Sequence, residues 1–297
     1  MSSPAVAARP GPDRAPEALR ALRRGPCLVL ASDALAAEAG RLGLLEPGGL
    51  ARLLERSASG AAGRAACARV PLAGGAGLHL RPARHGGVLA PLGGARWLGV
   101  WRAARELRVA ARLFAAGAPV ARPALVAAER RFGFWRIAVA SWHEPRTCDA
   151  AAFLASGPAP ARVLRAAAAA GRALRRFHDA GGRHPDLHAG NLLLRETAAG
   201  ATALFVDLDR ARCGAPPGPG ARFAELARLH RSLEKRGLGG CAGPRARAAF
   251  LGAYTGADRA LRRALLRHLG RERRRLALHR LGWRLGAPGR PGARAPR

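Results

Sequence analysis

The sequence predicts an α+β fold of two lobes, a small β-rich lobe followed by a larger, mainly α-helical one. Three observations carry that reading. From about Cys27 to Ala140 the apolar residues come in short runs broken by glycine, the texture of strands and turns. From about Thr147 the chain turns to long Ala- and Leu-rich stretches of helical period. Between them, Ser141 to Arg146 reads as a connector. At 297 residues the chain is long enough to bury a core in each lobe. The predicted boundaries are a poorly ordered arm over 1–24, the small lobe over 25–143, the helical lobe over 144–285 and a basic flexible tail over 286–297.

The elements follow in order. "AACARVPL" (Ala65 to Leu72) and "LHLRP" (Leu78 to Pro82), separated by a Gly-rich turn, predict a β-hairpin. A helix is expected from Trp101 to about Ala116, with Leu107, Ala110, Ala111 and Phe114 on one face, Gly117 as its C-cap and Pro119 as its stop. "FGFWRIAVAS" (Phe132 to Ser141) reads as a strand. Arg162 to Ala180 is a strong helix with Leu164, Gly171, Leu174 and Phe177 near one face, ended by Gly181-Gly182. "NLLL" (Asn191 to Leu194) and "ALFVDLD" (Ala203 to Asp209) predict a second hairpin, after which helices dominate.

Composition narrows the function classes. The chain carries 51 basic against 19 acidic residues, net +32, and its only lysine is Lys235. That excess reads either as arginine drift on solvated faces or as attraction to a polyanion: nucleic acid, anionic lipid or a phosphorylated sugar. Aromatic residues make up only 5%, and Trp97, Trp101, Trp135, Trp142 and Trp283 are scattered; a nucleic-acid platform interleaves them with basic residues, so no nucleic-acid partner is expected. The five cysteines form no C-x-x-C pair, which argues against a disulfide framework or zinc site and for a reducing compartment. No apolar run approaches the roughly 18–20 residues of a membrane span, so a cytoplasmic protein touching a membrane only from the side is expected.

Polar chemistry concentrates in "RHPDLHAGNLLLRE" (Arg183 to Glu196). Asp186 is followed five residues later by Asn191, and Asp207 stands at the end of the next apolar run. Phosphoryl transfer from ATP needs a carboxylate to orient the attacking hydroxyl and hard oxygen ligands for the Mg²⁺ that bridges the phosphates. Asp186 suits the first task; Asn191 and Asp207 suit the second if the hairpin folds them together. The alternative is that Asp186 caps a turn and Asn191 bonds its own loop; the H-x-D-x-x-x-x-N spacing followed by V-D-x-D favours the catalytic reading.

With these motifs the sequence resembles the lipopolysaccharide-kinase family of the protein-kinase-like fold, in its 3-deoxy-D-manno-octulosonic acid (Kdo) kinase branch. The resemblance runs from about Gly60 to Tyr254 and also rests on "LRPARHGG" (Leu80 to Gly87), "RAARELRVAARLFAAGAPVARP" (Arg102 to Pro123), "FAELARLHRSLEKR" (Phe223 to Arg236) and "AFLGAY" (Ala249 to Tyr254). It implies that Asp186 is the catalytic Asp, that Asn191 and Asp207 bind metal, and that His184 braces the loop. It implies that Glu106 pairs with the basic residue of the small lobe, here Arg81 where most kinases have lysine. Gly60 and Gly63 of "GAAGRA" would form the phosphate loop. His188 occupies a position where protein kinases often carry a phosphate-contacting lysine; it either assists Asp186 or stacks without a chemical role. Asp209 replaces the glycine of D-F-G and either adds a carboxylate near the metal or pairs with Arg210 or Arg212. No activation segment follows, which favours a small or lipid-linked acceptor over a protein.

The implied acceptor is the 4-hydroxyl of Kdo on a lipid A precursor at an anionic membrane surface, with adenine against Ile137 to Ser141 and the enzyme a monomer. The stretch Asp258 to Trp283, with Leu261, Leu265, Leu269, Leu276 and Trp283 on one stripe, is the candidate membrane contact, or else a core helix. A heptose kinase, a small-molecule phosphotransferase and a pseudokinase scaffold are the alternatives.

Overall fold

The computed structural model describes residues 19–58, 67–72, 75–84, 96–198 and 200–271. Gly60, Gly63, the tail over 286–297, Leu276, Trp283 and all but the end of the expected arm lie outside these residues.

The small lobe is built on one antiparallel sheet. Its elements are β1 (Arg20–Arg24), β2 (Cys27–Ala31), α1 (Asp33–Arg41), α2 (Gly49–Ala58), β3 (Ala68–Pro71), β4 (Gly77–Pro82), α3 (Trp101–Ala115), β5 (Pro123–Arg131) and β6 (Phe134–Trp142). The strands lie in the order β1-β2-β5-β6-β4-β3. Alternation along β5 explains how one sheet serves two cores. Leu125 and Ala127 pack with Leu35 and Leu50 of α1 and α2. Val126 and Ala128 point the other way, onto Ala103 and Leu107 of α3.

Two expectations change here, and one strand is new. The arm was expected to reach residue 24, but Arg20–Arg24 is a strand paired with β2. The buried strand β2 needs a partner on its outer edge, and an exposed Arg-rich strand closes that edge without inviting further pairing. The strand expected from Phe132 begins at Phe134, because Phe132 (φ +49°) and Gly133 (φ +81°) form a left-handed turn. That turn exposes a strand unforeseen in the sequence, β5, whose Ala-rich composition disguises its alternation.

The larger lobe contains β7 (Cys148–Asp149), α4 (Ala150–Ala155), α5 (Pro160–Asp179), β8 (Gly182–Arg183), β9 (Leu192–Thr197), β10 (Gly200–Phe205), β11 (Arg212–Cys213), α6 (Pro219–Glu234) and α7 (Pro244–Thr255). A last helix covers 259–271. Asp149 caps α4 by accepting from the N–H groups of Ala151 and Ala152. The core helix α5 packs directly on α7, and Gly171 is what permits it: a Cβ there would lie 2.3 Å from the Phe250 carbonyl oxygen. The expected hairpin of "NLLL" and "ALFVDLD" is β9–β10, joined to β7 in a three-stranded sheet.

The segment between α3 and β5 is fastened to the strand that leads to Asp207. Phe205 donates its N–H to the Pro119 carbonyl at 2.8 Å and accepts from the Ala121 N–H at 2.9 Å. The last helix is a core element through its first turns, since Leu261 and Leu265 are buried in the large-lobe core; Leu269 is exposed. Of the two readings of this stripe, a membrane contact or a core helix, Leu261 and Leu265 follow the second. Among the described residues no helix is long and apolar enough to cross a membrane.

Candidate active site

The loop from His184 to Asn191 is held from both sides by buried anchors. Helix α5 ends at Asp179, and Gly181, with a φ of +77°, turns the chain into β8; a Cβ there would collide with the Gly214 carbonyl oxygen at 1.7 Å. β8 then pairs with β11, which follows the Asp207 loop, so the two loops start and end against one another. His184 is fully buried. Its N–H donates to Glu225 Oε2 at 2.9 Å, and its Nε2 lies 3.4 Å from the Val206 carbonyl. Burial holds this imidazole below its ordinary pKa, so it is a neutral brace rather than a proton carrier. His184 and Leu187 are fully buried on either side of Asp186, which stands on the exposed crest.

Asn191 and Asp207 converge on this crest. The Asn191 Nδ2 donates to the Asp186 carbonyl at 3.2 Å, and the Asn191 carbonyl accepts from the Val206 N–H at 3.0 Å. Occupation of Nδ2 leaves the amide oxygen as the atom open to a cation. Asp207 takes φ +57°, the left-handed region that Asp tolerates better than most side chains. Leu208 and Ala211 bury behind it, so the carboxylate turns outward while its loop stays anchored.

The small lobe reaches the same place through Arg81. Its guanidinium lies 2.6 Å from Glu106 Oε1 and 3.2 Å from Asp207 Oδ1. Burial opposes the Arg81 charge, but the attraction of Glu106 and Asp207 outweighs it and holds its pKa above the ordinary value. Burial lifts the Glu106 carboxyl to about 7, against the pull of Arg81 and with the repulsion of Asp207 and Asp209 adding to it. Beside this pair, Ile137, Trp97, Arg102 and Asp209 line one cleft with Arg81 and Glu106. Of the strand segment expected to carry adenine, it is Ile137 that opens onto the cleft.

Asp209 pairs with neither Arg210 nor Arg212. Arg102 grips it through both guanidinium branches, Nε to Oδ1 at 2.6 Å and the second arm to Oδ2. Arg102 stands one turn before Glu106 on α3 and so shares its inward direction, whereas Arg210 and Arg212 flank the buried Ala211. In a chain with so many arginines nothing in the sequence singles Arg102 out. His188 is half-buried, and its Nδ1 has no hydrogen-bond partner among the described residues.

A buried polar hub under the loop was not foreseen. Glu225 on α6 receives the His184 N–H and lies 3.2 Å from His178 Nε2, whose Nδ1 is 2.6 Å from the Tyr254 hydroxyl. Burial would raise the Glu225 pKa, but these bonds hold it below the usual carboxylate range. The signal in the sequence was faint: "FAELARLH" and "AFLGAY" each bring one polar residue to an apolar face.

The donor set fits Mg²⁺ bound with nucleotide phosphates. Asp207 and Asn191 offer hard oxygens, and Mg²⁺ typically takes one or two protein ligands beside phosphates and water. Among the described residues no group of three or more His, Cys, Asp or Glu side chains forms an all-protein cage.

Residues 94–254 match the profile of the Lipopolysaccharide kinase (Kdo/WaaP) family. The chain belongs to this family. Two relatives are each called 3-deoxy-D-manno-octulosonic acid kinase. The one from Mannheimia succiniciproducens is 32% identical over 135 residues, 45% of this chain and 54% of its own length. The one from Haemophilus influenzae is 29% identical over 136 residues, with the same shares. The chain thus matches about half the length of these curated relatives. A solved structure titled "WaaP in complex with acyl carrier protein" is similar in fold at 20% identity and a TM-score of 0.51, covering 86% of this chain and 99% of that one. The two-lobe α+β architecture is thus that of a lipopolysaccharide-kinase (Kdo/WaaP) family member, and the family match spans α3, the His184–Asn191 loop, the Asp207 loop and α7.

Proposed function

We propose that this chain is an ATP-dependent kinase of a Kdo sugar, phosphorylating its 4-hydroxyl on a lipid A precursor. The observation that carries the reading is the convergence of Asp186, Asn191 and Asp207 on one crest, with Arg81 reaching Asp207 from the other lobe at 3.2 Å. The names of the two relatives supply the acceptor.

In this reading Asp186 accepts a hydrogen bond from the sugar hydroxyl and aims its oxygen at the γ-phosphate. Asn191 and Asp207 would hold Mg²⁺, which supplies charge neutralisation across the phosphates. Arg81 clamps phosphate oxygens while Glu106 fixes its fork. The protein thus contributes positioning and a preset electrostatic field rather than covalent chemistry. Peripheral contact with an anionic membrane completes the proposal. It is supported by the exposed Phe132 at the β5–β6 turn, preceded by Arg130 and Arg131, and by exposed Leu98 and Trp101.

Transfer of labelled γ-phosphate from ATP to a Kdo-bearing lipid A precursor, with Mg²⁺, tests the reading. Product phosphorylated on the sugar is expected from wild type, with a loss of at least about 10³-fold in Asp186→Asn. Transfer to heptose-containing acceptors alone would replace the substrate; ATP hydrolysis and transfer unaffected by Asp186→Asn would overturn the assignment.

A further inference from the structure

Along the flank of α3 that meets β11 lies a cleft that the mechanism does not use. It is lined by Arg105, Arg108, Val109 and Arg112 from α3 and by Arg212 and Cys213 from β11, and encloses about 360 Å³. The helix residues fall at i, i+3 and i+7, so their guanidiniums share one face. Arg212 meets them from the strand that follows the Asp207 loop.

Four guanidiniums converge here on one concavity. Some arginines elsewhere are paired with carboxylates: Arg162 with Glu196, Arg175 with Asp179, Arg195 with Glu144 and Arg222 with Asp179. In the cleft no acidic residue lines the walls. Arg105 donates to the Ala211 carbonyl at 3.1 Å, and Arg108, Arg112 and Arg212 have no acidic partner among the described residues. Like charges at i, i+3 and i, i+4 destabilise a helix. Their convergence on a concavity of ligand size is the arrangement that a multivalent anion relieves.

We infer that this cleft is a second binding site, for a ligand carrying a pyrophosphate or clustered phosphate groups, sharing no lining residue with the cleft beside Glu106. Guanidinium forks match phosphate oxygens two at a time, and four forks exceed what one carboxylate can satisfy. The ligand is a soluble pyrophosphate-type anion or the phosphorylated headgroup of a lipid; the recognising chemistry is the same. An anion gripped by α3 and β11 together would also bind the Glu106 helix to the segment behind Asp207, adding to the tie that Arg102 makes with Asp209.

Cys213 reports the site directly, since it is half-buried in the cleft while Cys148 and Cys241 are exposed elsewhere. The experiment is the rate of Cys213 alkylation by N-ethylmaleimide in the full chain, read by peptide mass spectrometry with Cys148 and Cys241 as internal controls. Inorganic pyrophosphate is one addition; phosphatidylcholine vesicles containing phosphatidic acid are the other. At about tenfold above the dissociation constant, alkylation of Cys213 alone should slow by about tenfold. Protection by pyrophosphate identifies a soluble anion, and protection by vesicles alone identifies a headgroup. The double variant Arg108→Gln/Arg112→Gln should lose protection. Arg165→Gln/Arg172→Gln, the same charge loss on an exposed face of α5, should keep it. Absence of protection by both additions overturns the inference, as does protection that survives the cleft variant or disappears equally in the control.

Discussion

Arg102 of α3 holds Asp209 of the large lobe through both branches of its guanidinium. The pair crosses from one lobe to the other, two residues beyond Asp207. It fastens the loop that presents Asp207 to the helix that carries Glu106.

Breaking that pair should loosen the loop without removing a proposed ligand. Arg102→Ala and Asp209→Ala are each expected to lower kcat/KM for ATP about tenfold. The double variant should be no worse than the poorer single one, because the two act as a unit. A double-mutant cycle in steady-state kinetics decides it; strictly multiplicative losses would show that the residues work independently.

Arg81 makes a separate prediction. A lysine would place one ammonium where a fork now serves Glu106 and Asp207 together. Arg81→Lys is expected to retain activity reduced about tenfold, and Arg81→Met to lose about 10²-fold or more in kcat/KM for ATP. Full activity in Arg81→Met would remove this residue from the phosphate site.

The pH dependence follows from Glu106. Its carboxyl is lifted by burial to about 7, while in the unfolded chain it titrates near ~4.3. Between those values the folded protein binds a proton that the unfolded chain has released. The Glu106 contribution therefore lowers stability as pH rises from ~4.3 to about 7, and is constant above. Activity should run the opposite way, since only the ionised carboxylate fixes Arg81. The expected profile of kcat/KM rises through pH about 7, and Glu106→Gln should flatten that limb. An unchanged limb in Glu106→Gln would assign it to another group.

Under the loop, Glu225 is expected to matter for stability more than for chemistry. Glu225→Ala leaves the His184 N–H and His178 Nε2 without their acceptor and should cost about 2–3 kcal/mol, with Tyr254→Phe costing about 1 kcal/mol. The Glu225 pKa is depressed in the folded state. Its stabilisation is present above the unfolded carboxylate value and disappears as pH falls through the depressed one. Urea unfolding at neutral and acidic pH measures this; the wild-type and Glu225→Ala midpoints should draw together in acid.

Much of this could be read from residues. Asp186, Asn191 and Asp207 were legible because their spacing and the apolar runs behind them form a pattern that drift seldom produces. The Arg81–Glu106 pair was reached through family resemblance alone, since one arginine among so many carries no signal of its own. Strand β5 was missed because alanine serves helix and strand cores alike, and its alternation of Leu125 and Ala127 against Val126 and Ala128 becomes visible only when two cores are seen. β1 was missed because its residues are chosen for an edge, where charge replaces hydrophobic pattern. Arg102–Asp209 and the Glu225 hub join residues about 107 and 41 positions apart, a pairing that no local period encodes.

The guanidinium at position 81 also has a chemical consequence. Reagents that acylate the nucleotide-site amine of kinases, and inhibitors that form an imine or sulfonamide with it, meet no amine in this cleft. The chain's single primary amine side chain, Lys235, caps the far end of α6. A probe aimed at the nucleotide-site lysine of kinases would therefore find no amine at Arg81 and could label only the exposed Lys235. A covalent handle on it has to be sought at sulfur.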